Sequence, residues 1–246
     1  MAISILVPTI GATDYLTLFC NSVQQHTSVP YEILIWDNGR SDKVKEFCKS
    51  KEYRYFSSDK NLGITAPYNV MVQEAKYDLV FLADNDYYVL PGWDSIVENV
   101  GEVYWKTPTM IDPRAYMEGR SIIGRYGFRL KGFAEKQLLE DFCGTTVEEK
   151  LGTYMPPVMK RQDYINIGGF NEDFYVGETD FLWRAFCYYQ SHEFDQTIST
   201  NSFIYHFGSK TDRPFSGGAE SKRHNQFLID TYGMDEQQLG ANMGIF

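Results

Sequence analysis

Two carboxylates placed one residue apart, directly after an apolar run, are the part of this sequence best suited to chemistry. The run at residues 79–83 (LVFLA) leads straight into Asp84-Asn85-Asp86. Such a bounded apolar run is typical of a buried strand, and open α/β sheets bind ligands beyond the carboxyl ends of their strands. Neighbouring carboxylates repel each other unless a cation or a donor lies between them, and their oxygens suit Mg²⁺ and Mn²⁺. The alternative is a surface turn, because Asp and Asn also favour turns.

Further acids occupy comparable positions. Asp37 follows a second apolar run at residues 31–36, so a parallel sheet would place it on the same edge as the first acidic pair. Glu178 and Asp180 begin a helical pattern, where the helix dipole alone already favours acids. Gly168, Gly169 and Gly177, which precede this second pair, predict tight turns, and such turns favour a shaped pocket wall over an ordinary helix start.

Apolar runs that alternate with helical patterns predict βαβ units and a mainly parallel sheet. Strands are predicted at residues 3–7, 31–36, 53–56, 79–83, 158–160 and 198–207, and helices at 13–26, 43–50, 65–75, 91–103, 133–142, 161–167, 179–190 and 217–246. Thr13 or Asp14 is expected to cap the first helix, and Ser41 or Asp42 the second. Gly168 is expected to end the helix at 161–167 in a left-handed conformation.

The composition predicts one large α/β domain. The chain has 246 residues, 43% of them hydrophobic, and a formal net charge of -10. An acidic chain has no overall attraction for nucleic acid or anionic membranes, although a local basic patch could bind either. No stretch approaches the roughly 18 apolar residues of a membrane span, and the start lacks the basic region of a signal peptide. Together with four scattered cysteines, read as reduced thiols, these features predict a cytoplasmic protein without stable membrane insertion.

Residues 106–136 form a basic island in this acidic chain. The island holds seven basic and three acidic residues: Lys106, Arg114, Arg120, Arg125, Arg129, Lys131 and Lys136 against Asp112, Glu118 and Glu135. A solvated face that balances neighbouring acids would explain the island. The functional alternative is contact with an anionic acceptor or with a diphosphate.

Taken together, in this order and spacing, six motifs make the chain resemble family 2 of the glycosyltransferases, the large inverting group with the GT-A fold. The motifs are SILVPT at 4–9, EILIWDNG at 32–39, NLGI at 61–64, DND at 84–86, GGFNE at 168–172 and GETD at 177–180. The resemblance covers most of residues 3–101 and 153–210. It implies a single GT-A domain with a Rossmann-like, mainly parallel central sheet, flanking helices and a smaller acceptor-side region. The implied parts are a nucleotide-sugar-binding half at 1–103, an acceptor-binding and catalytic half at 104–210, and a C-terminal helix or tail at 211–246.

The resemblance also implies a nucleotide pocket. Pro8 and Thr9 would lie against the base, and Asp37 would accept a hydrogen bond from that base, typically uracil in this family. Lys60 and Asn61 fall where the family lines the pocket for base and ribose. These five residues are therefore candidates for binding the nucleotide sugar.

For the reacting groups, the resemblance assigns the DND sequence to the family's DXD motif. Asp84 would contact the ribose or the sugar beside Asn85, and Asp86 would bind the metal that bridges the diphosphate. His206 falls where many relatives add a histidine ligand. Relatives usually carry Glu-Asp-x-Asp where this chain has Gly-Glu-Thr-Asp, so Glu178 aligns with the catalytic base and Asp180 is the near alternative.

The implied activity is metal-dependent, inverting transfer of a hexose-type sugar from a nucleotide-diphosphate sugar, a UDP-sugar in most relatives, to an acceptor hydroxyl. The cofactor would be Mn²⁺ or Mg²⁺, and the acceptor a saccharide or another macromolecule. Glycosylation of modified nucleic acid by the same chemistry is one alternative, with nucleic acid only as acceptor. A non-catalytic nucleotide-sugar-binding module is another. A nucleotidyltransferase is a third, although residues 8–14 lack the basic residues that its glycine-rich loop usually carries.

Overall fold

The fold is a ten-stranded sheet with helices on both faces. The computed structural model describes residues 1–113, 121–147, 150–151, 155–192, 197–208 and 218–244. The strands are β1 (Ile3–Thr9), β2 (Tyr31–Asp37), β3 (Arg54–Ser57), β4 (Leu79–Leu82), β5 (Tyr87–Val89), β6 (Trp105–Asp112), β7 (Ser121–Ile123), β8 (Lys150–Leu151), β9 (Val158–Lys160) and β10 (Thr197–His206). The helices are α1 (Thr13–His26), α2 (Asp42–Lys51), α3 (Thr65–Glu74), α4 (Glu135–Phe142), α5 (Arg161–Ile167), α6 (Glu178–Ser191), α7 (Gly218–Tyr232) and α8 (Glu236–Asn242), with a 3₁₀ helix at Trp93–Val97.

The sheet order is β3-β2-β1-β4-β9-β6-β10-β5, with β7 beside β6 and β8 beside β10. Strands β3, β2, β1 and β4 are parallel, as the apolar runs predict. Strand β9 runs antiparallel to β4 and β6, and β5 runs antiparallel to β10. The predicted α/β class with a GT-A type sheet is confirmed, and the antiparallel strands join its two predicted halves. The division of the chain at residues 103 and 210 stays a prediction.

Both faces of β1 are covered, which explains why its sequence is continuously apolar. Ile3 and Val7 pack with residues of α1 in one core cluster. Leu6 points to the other face, where it packs with Tyr68 of α3 and Phe181 of α6 in a second cluster. The central strands are therefore held between two layers of helix, and their carboxyl ends meet at one edge of the sheet.

Several local predictions are wrong. The helix predicted at 91–103 is only the five-residue 3₁₀ helix, because the chain becomes extended at Glu98. No side-chain hydrogen bond caps α1 or α2, so neither Thr13 nor Ser41 acts as predicted, and Ala12 stands at the cap position of α1. The tail forms two helices, α7 and α8, with Gly233 between them at φ +69°.

The left-handed end predicted for α5 is confirmed. Gly168 ends α5 with φ +93°, in the left-handed region that favours glycine. The four cysteines are free thiols. Within the described part of the chain, none of the helices combines the length and apolar character needed to span a bilayer.

Candidate active site

The acidic motif and the last residue of β10 meet beyond the end of β4. Asp84, Asp86 and His206 each offer one ligand atom, and these three atoms all lie within 4.8 Å of one another. The antiparallel pairing of β5 with β10 sets His206 beside Tyr87, and the backbone N–H of Phe207 donates to the carbonyl of Asp86 at 3.1 Å. Asp86 is 2% exposed and His206 is 6% exposed. Backbone pairing therefore brings together residues that are 120 positions apart in the chain.

A third carboxylate orients the imidazole. Oδ2 of Asp112, the last residue of β6, lies 2.9 Å from Nδ1 of His206, and Nε2 lies 3.6 Å from Oδ1 of Asp86. An ionised Asp112, which is fully buried, accepts from Nδ1–H and leaves the Nε2 lone pair on the side of Asp86. Metal-binding histidines are commonly held in this way by a carboxylate. The sequence reasoning missed Asp112, because β6 contains Lys106 and Pro108 and is not a continuous apolar run like the one before Asp37.

Tyr87 contacts both Asp84 and His206. Its hydroxyl donates to Oδ2 of Asp84 at 3.1 Å, and its ring meets the His206 ring edge-on with centroids 5.1 Å apart. Burial, then the charges of Asp84, Asp86 and Glu178 among others, raise the pKa of Tyr87 well above its ordinary value. Tyr87 is therefore a permanent donor, and Glu178 lies close enough to act on it electrostatically.

The predicted nucleotide-pocket residues lie at the ends of β1 and β2. Oγ1 of Thr9 accepts from the side-chain amide of Asn85 at 2.7 Å. Asp37 is fully buried and accepts from the backbone N–H groups of Gly39 at 2.9 Å and Ser41 at 2.6 Å. These bonds shape the turn after β2, so Asp37 has a structural use in addition to its predicted contact with the base.

Asn38 is a second residue that the sequence reasoning did not single out. Its amide donates to the carbonyl of Gly63 at 2.8 Å, and its oxygen accepts from the N–H of Leu62 at 2.9 Å. The oxygen of Asn61 accepts from the N–H of Gly63 at 2.9 Å, whereas Lys60 is exposed. The loop predicted to line the ribose is thus tied to the end of β2, next to Pro8, which pairs with Trp36 across β1 and β2.

Glu178 and Asp180 have different surroundings. Oδ2 of Asp180 accepts from the Arg184 guanidinium at 2.6 Å and 3.1 Å, and Oδ1 accepts from the hydroxyl of Tyr232 at 2.6 Å. Arg184 also donates to the carbonyls of Ile167 and Gly169, both at 2.7 Å. Asp180 therefore fastens α6 to the end of α5 and to α7, whereas Glu178 is half-buried and acts on Tyr87.

The basic island is only partly described. Arg114, Glu118 and Arg120 lie outside the described residues. Arg125 and Arg129 lie in the exposed loop that follows β7.

Comparison with known proteins agrees with this geometry. Residues 4–100 match the family model described as Glycosyl transferase family 2. The chain is 27% identical over 242 residues to an uncharacterized glycosyltransferase of Bacillus subtilis (strain 168), YwdF, and the match covers 96% of this chain and 86% of YwdF.

Solved structures show the same fold. S. aureus TarS in complex with UDP superposes with a TM-score of 0.59 at 12% identity, over 98% of this chain and 75% of TarS. TarS in complex with UDP-GlcNAc superposes with a TM-score of 0.65 at 13% identity, and the match covers 97% of this chain and 69% of TarS. GalNAc-T7 with UDP, GalNAc and Mn²⁺ gives 0.69 at 14% identity, over 96% of this chain and 49% of GalNAc-T7. The fold is therefore GT-A, and the chain is a glycosyltransferase. Over residues 4–100 it resembles glycosyl transferase family 2.

Proposed function

We propose that this glycosyltransferase moves a sugar from a UDP-sugar to an acceptor hydroxyl with inversion, using a divalent metal at Asp84, Asp86 and His206. The observation that carries the proposal is the convergence of three ligand atoms within 4.8 Å at the strand ends where α/β folds bind nucleotides. The complexes of TarS with UDP and UDP-GlcNAc, and of GalNAc-T7 with UDP and Mn²⁺, support the choice of donor and of metal.

The donor set fits Mn²⁺ or Mg²⁺. Two carboxylate oxygens suit either hard cation, and an imidazole nitrogen makes the set more favourable for Mn²⁺. Asp112 holds the imidazole with Nε2 toward Asp86, as a metal-binding histidine requires. A metal bound there supplies Lewis-acid stabilisation of the charge that develops on the departing diphosphate.

Glu178 is proposed as the general base. The acceptor oxygen attacks the anomeric carbon, the bond from that carbon to the diphosphate oxygen breaks, and the hydroxyl proton passes to the Glu178 carboxylate. A single carboxylate on the acceptor side suits this one-step inversion. Asp180 is unsuited to the role, because both of its oxygens already accept hydrogen bonds from Arg184 and Tyr232.

Donor binding tests the proposal directly. Saturating UDP, a hundredfold above its Kd, should add about 2.7 kcal/mol to the free energy of unfolding. For a chain of this length, such a gain raises Tm by roughly 5–10 °C. We expect this shift with Mn²⁺ present and little shift without it.

Asp86→Ala should abolish the dependence of UDP binding on Mn²⁺, measured by calorimetry. The exposed Asp173→Ala is the matched control and should bind like the wild type. Retained Mn²⁺ dependence in Asp86→Ala would show that the metal role is wrong. UDP binding without release of UDP from any UDP-sugar would favour a binding module, and release of pyrophosphate would favour nucleotidyl transfer.

A further inference from the structure

The loop at residues 125–131, called here the basic loop, is cationic and exposed. It carries Arg125, Arg129 and Lys131, all exposed, and no acid, in a chain whose net charge is -10. Within the described part of the chain, none of these three side chains forms an ion pair with a carboxylate. Phe128 lies between them and is 50% exposed. A solvated face that balances neighbouring acids does not account for three cations that pair with no carboxylate of the described residues and that occur in one short loop with an exposed aromatic residue.

The basic loop is fastened to the strand that carries His206. The hydroxyl of Tyr205 donates to the carbonyl of Gly127 at 2.7 Å. The ring of Phe133, just beyond the loop, packs edge-on against Phe207 with centroids 4.8 Å apart. Because Tyr205 and Phe207 flank His206 on both sides, the position of the loop is fixed relative to the proposed metal site.

Tyr15 of α1 connects the basic loop to the acidic cluster. Its ring packs edge-on against Phe207, with centroids 5.4 Å apart. The pKa of Tyr15 is raised, mainly by burial. A backbone hydrogen bond with Leu130 and the Arg129 guanidinium oppose this increase, and the Asp86 carboxylate adds to it. Phe207, the residue after His206, thus contacts both Tyr15 and Phe133, so the loop is anchored to the strand that ends at the proposed metal site.

We propose that the basic loop binds an anionic acceptor, a saccharide that carries carboxylate or phosphate groups near the hydroxyl to be glycosylated. This inference rests on the proposed function of the same site. Arginine side chains bind oxyanions through paired hydrogen bonds, and the exposed ring of Phe128 offers a surface for the apolar face of a sugar. A local positive surface on an acidic chain also directs an anionic ligand to this position.

The competing occupant is the diphosphate of the donor. Its charge is already countered in the proposed mechanism by the metal at Asp86, and a diphosphate gains nothing from an exposed aromatic ring. The combination of three cations with Phe128 therefore favours a sugar that is itself charged.

The test measures binding of defined probes by calorimetry in the presence of UDP and Mn²⁺. Tetragalacturonate and its methyl ester have the same backbone and differ in charge, and a phosphorylated maltotetraose distinguishes phosphate from carboxylate. We expect wild-type protein to prefer at least one charged probe over the ester by tenfold or more, with an affinity that falls as salt rises.

The combined variant Arg125→Gln, Arg129→Gln and Lys131→Gln should lose this preference while its affinity for UDP with Mn²⁺ stays within twofold. Lys136→Gln is the matched control, because this exposed lysine lies nearby in α4 and already pairs with Glu140 at 3.5 Å. That control should bind all three probes like the wild type.

A second variant tests the aromatic surface. Phe128→Ser should weaken the charged and the esterified probe by the same factor, because the ring contacts the sugar and not its charge. The four substituted side chains, Arg125, Phe128, Arg129 and Lys131, are exposed, so their replacement leaves the folded core intact.

Four results would overturn the inference. Equal affinity of the wild type for every charged probe and for the ester excludes an anionic acceptor, as does undiminished preference in the triple variant. Parallel loss of UDP affinity in that variant assigns the loop to the diphosphate. Tight binding of an oligonucleotide with no binding of the saccharides points to nucleic acid. Failure of the wild type to bind UDP contradicts the proposed function separately, since saccharide binding is then measured without UDP.

Discussion

The two acids at the start of α6 allow catalysis and stability to be separated with two isosteric substitutions. Glu178 and Asp180 lie two residues apart, and the resemblance aligns Glu178 with the base while Asp180 is the near alternative. The structure places Asp180 in an internal network with Arg184 and Tyr232, whereas Glu178 is the half-buried first residue of α6. We therefore expect Glu178→Gln to lose activity with its stability retained, and Asp180→Asn to lose stability first.

Asp180→Asn should lower the free energy of unfolding, because it leaves the charge of Arg184 without its carboxylate partner. Removing one partner of a buried ion pair costs 3–5 kcal/mol, and the Arg184 side chain is 26% exposed, so the low end of about 3 kcal/mol applies. For a chain of this length, each kcal/mol lowers Tm by roughly 2–4 °C. The expected loss in Tm is therefore roughly 6–12 °C.

Glu178→Gln should raise the activation free energy of sugar transfer. Loss of a general base lowers the rate by roughly 10²–10⁴-fold, which corresponds to about 3–5 kcal/mol of activation free energy. The amide keeps the size of a half-buried side chain, so Tm should change by no more than about 2 °C. Affinity for UDP with Mn²⁺ should be unchanged, because the proposed donor ligands are untouched.

Measuring both activity and Tm of each variant distinguishes a catalytic role from a structural one. UDP release is followed with the UDP-sugar that gives the largest thermal shift, with water as the acceptor, and Tm is followed by calorimetry. Asp180→Asn should retain activity, within about tenfold, at temperatures below its lowered Tm. The reasoning is refuted if Glu178→Gln turns over at the wild-type rate, or if Asp180→Asn abolishes activity without any loss in Tm.

Two further predictions concern residues that the sequence did not single out. Asp112→Asn should weaken Mn²⁺ binding by roughly 10–100-fold in calorimetric titration, because it releases the imidazole of His206, while UDP binding without metal stays the same. Unchanged Mn²⁺ affinity would contradict this role. His224 packs against Phe174, and burial lowers its pKa in the folded protein. The unfolded chain therefore binds a proton at this residue more readily, and the wild type loses stability as the pH falls below about 6.5. The Tm difference between wild type and His224→Phe should therefore shift in favour of the variant between pH 7.5 and 5.5, and a constant difference would contradict this assignment.

The sequence predicts the parallel part of the sheet because strands covered on both faces have continuous apolar runs. Strand β6 gave no such signal, since Pro108 interrupts it and proline argues against a central strand. The sheet accommodates Pro108 at Ser199 of β10, just before the register of that strand shifts. This pairing joins segments about 90 residues apart, so the local pattern contains no trace of it.

The residues of the active site also divide into those that a local sequence feature predicts and those that depend on contacts between distant residues. Asp84 and Asp86 could be predicted because their strand end is a local feature. Asp112 acts through a side chain that lies 94 residues away, and Asp180 through Tyr232, 52 residues away. Only the Asp180–Arg184 pair, at helical spacing, could have been read from the sequence as a reason to prefer Glu178 for the base.

The acidic cluster and the basic loop together suggest an order of binding. Asp84, Asp86 and Asp112 set three carboxylates around one imidazole in a largely buried site, and such a site repels a diphosphate until a cation lies in it. Under the proposed function, metal binding must therefore precede or accompany the donor, and UDP affinity without metal should be low. The basic loop has the opposite charge and needs no cation, so an anionic acceptor should bind there whether or not the donor site is filled. The two substrates would then be selected independently, the donor through a metal and the acceptor through Arg125, Arg129 and Lys131.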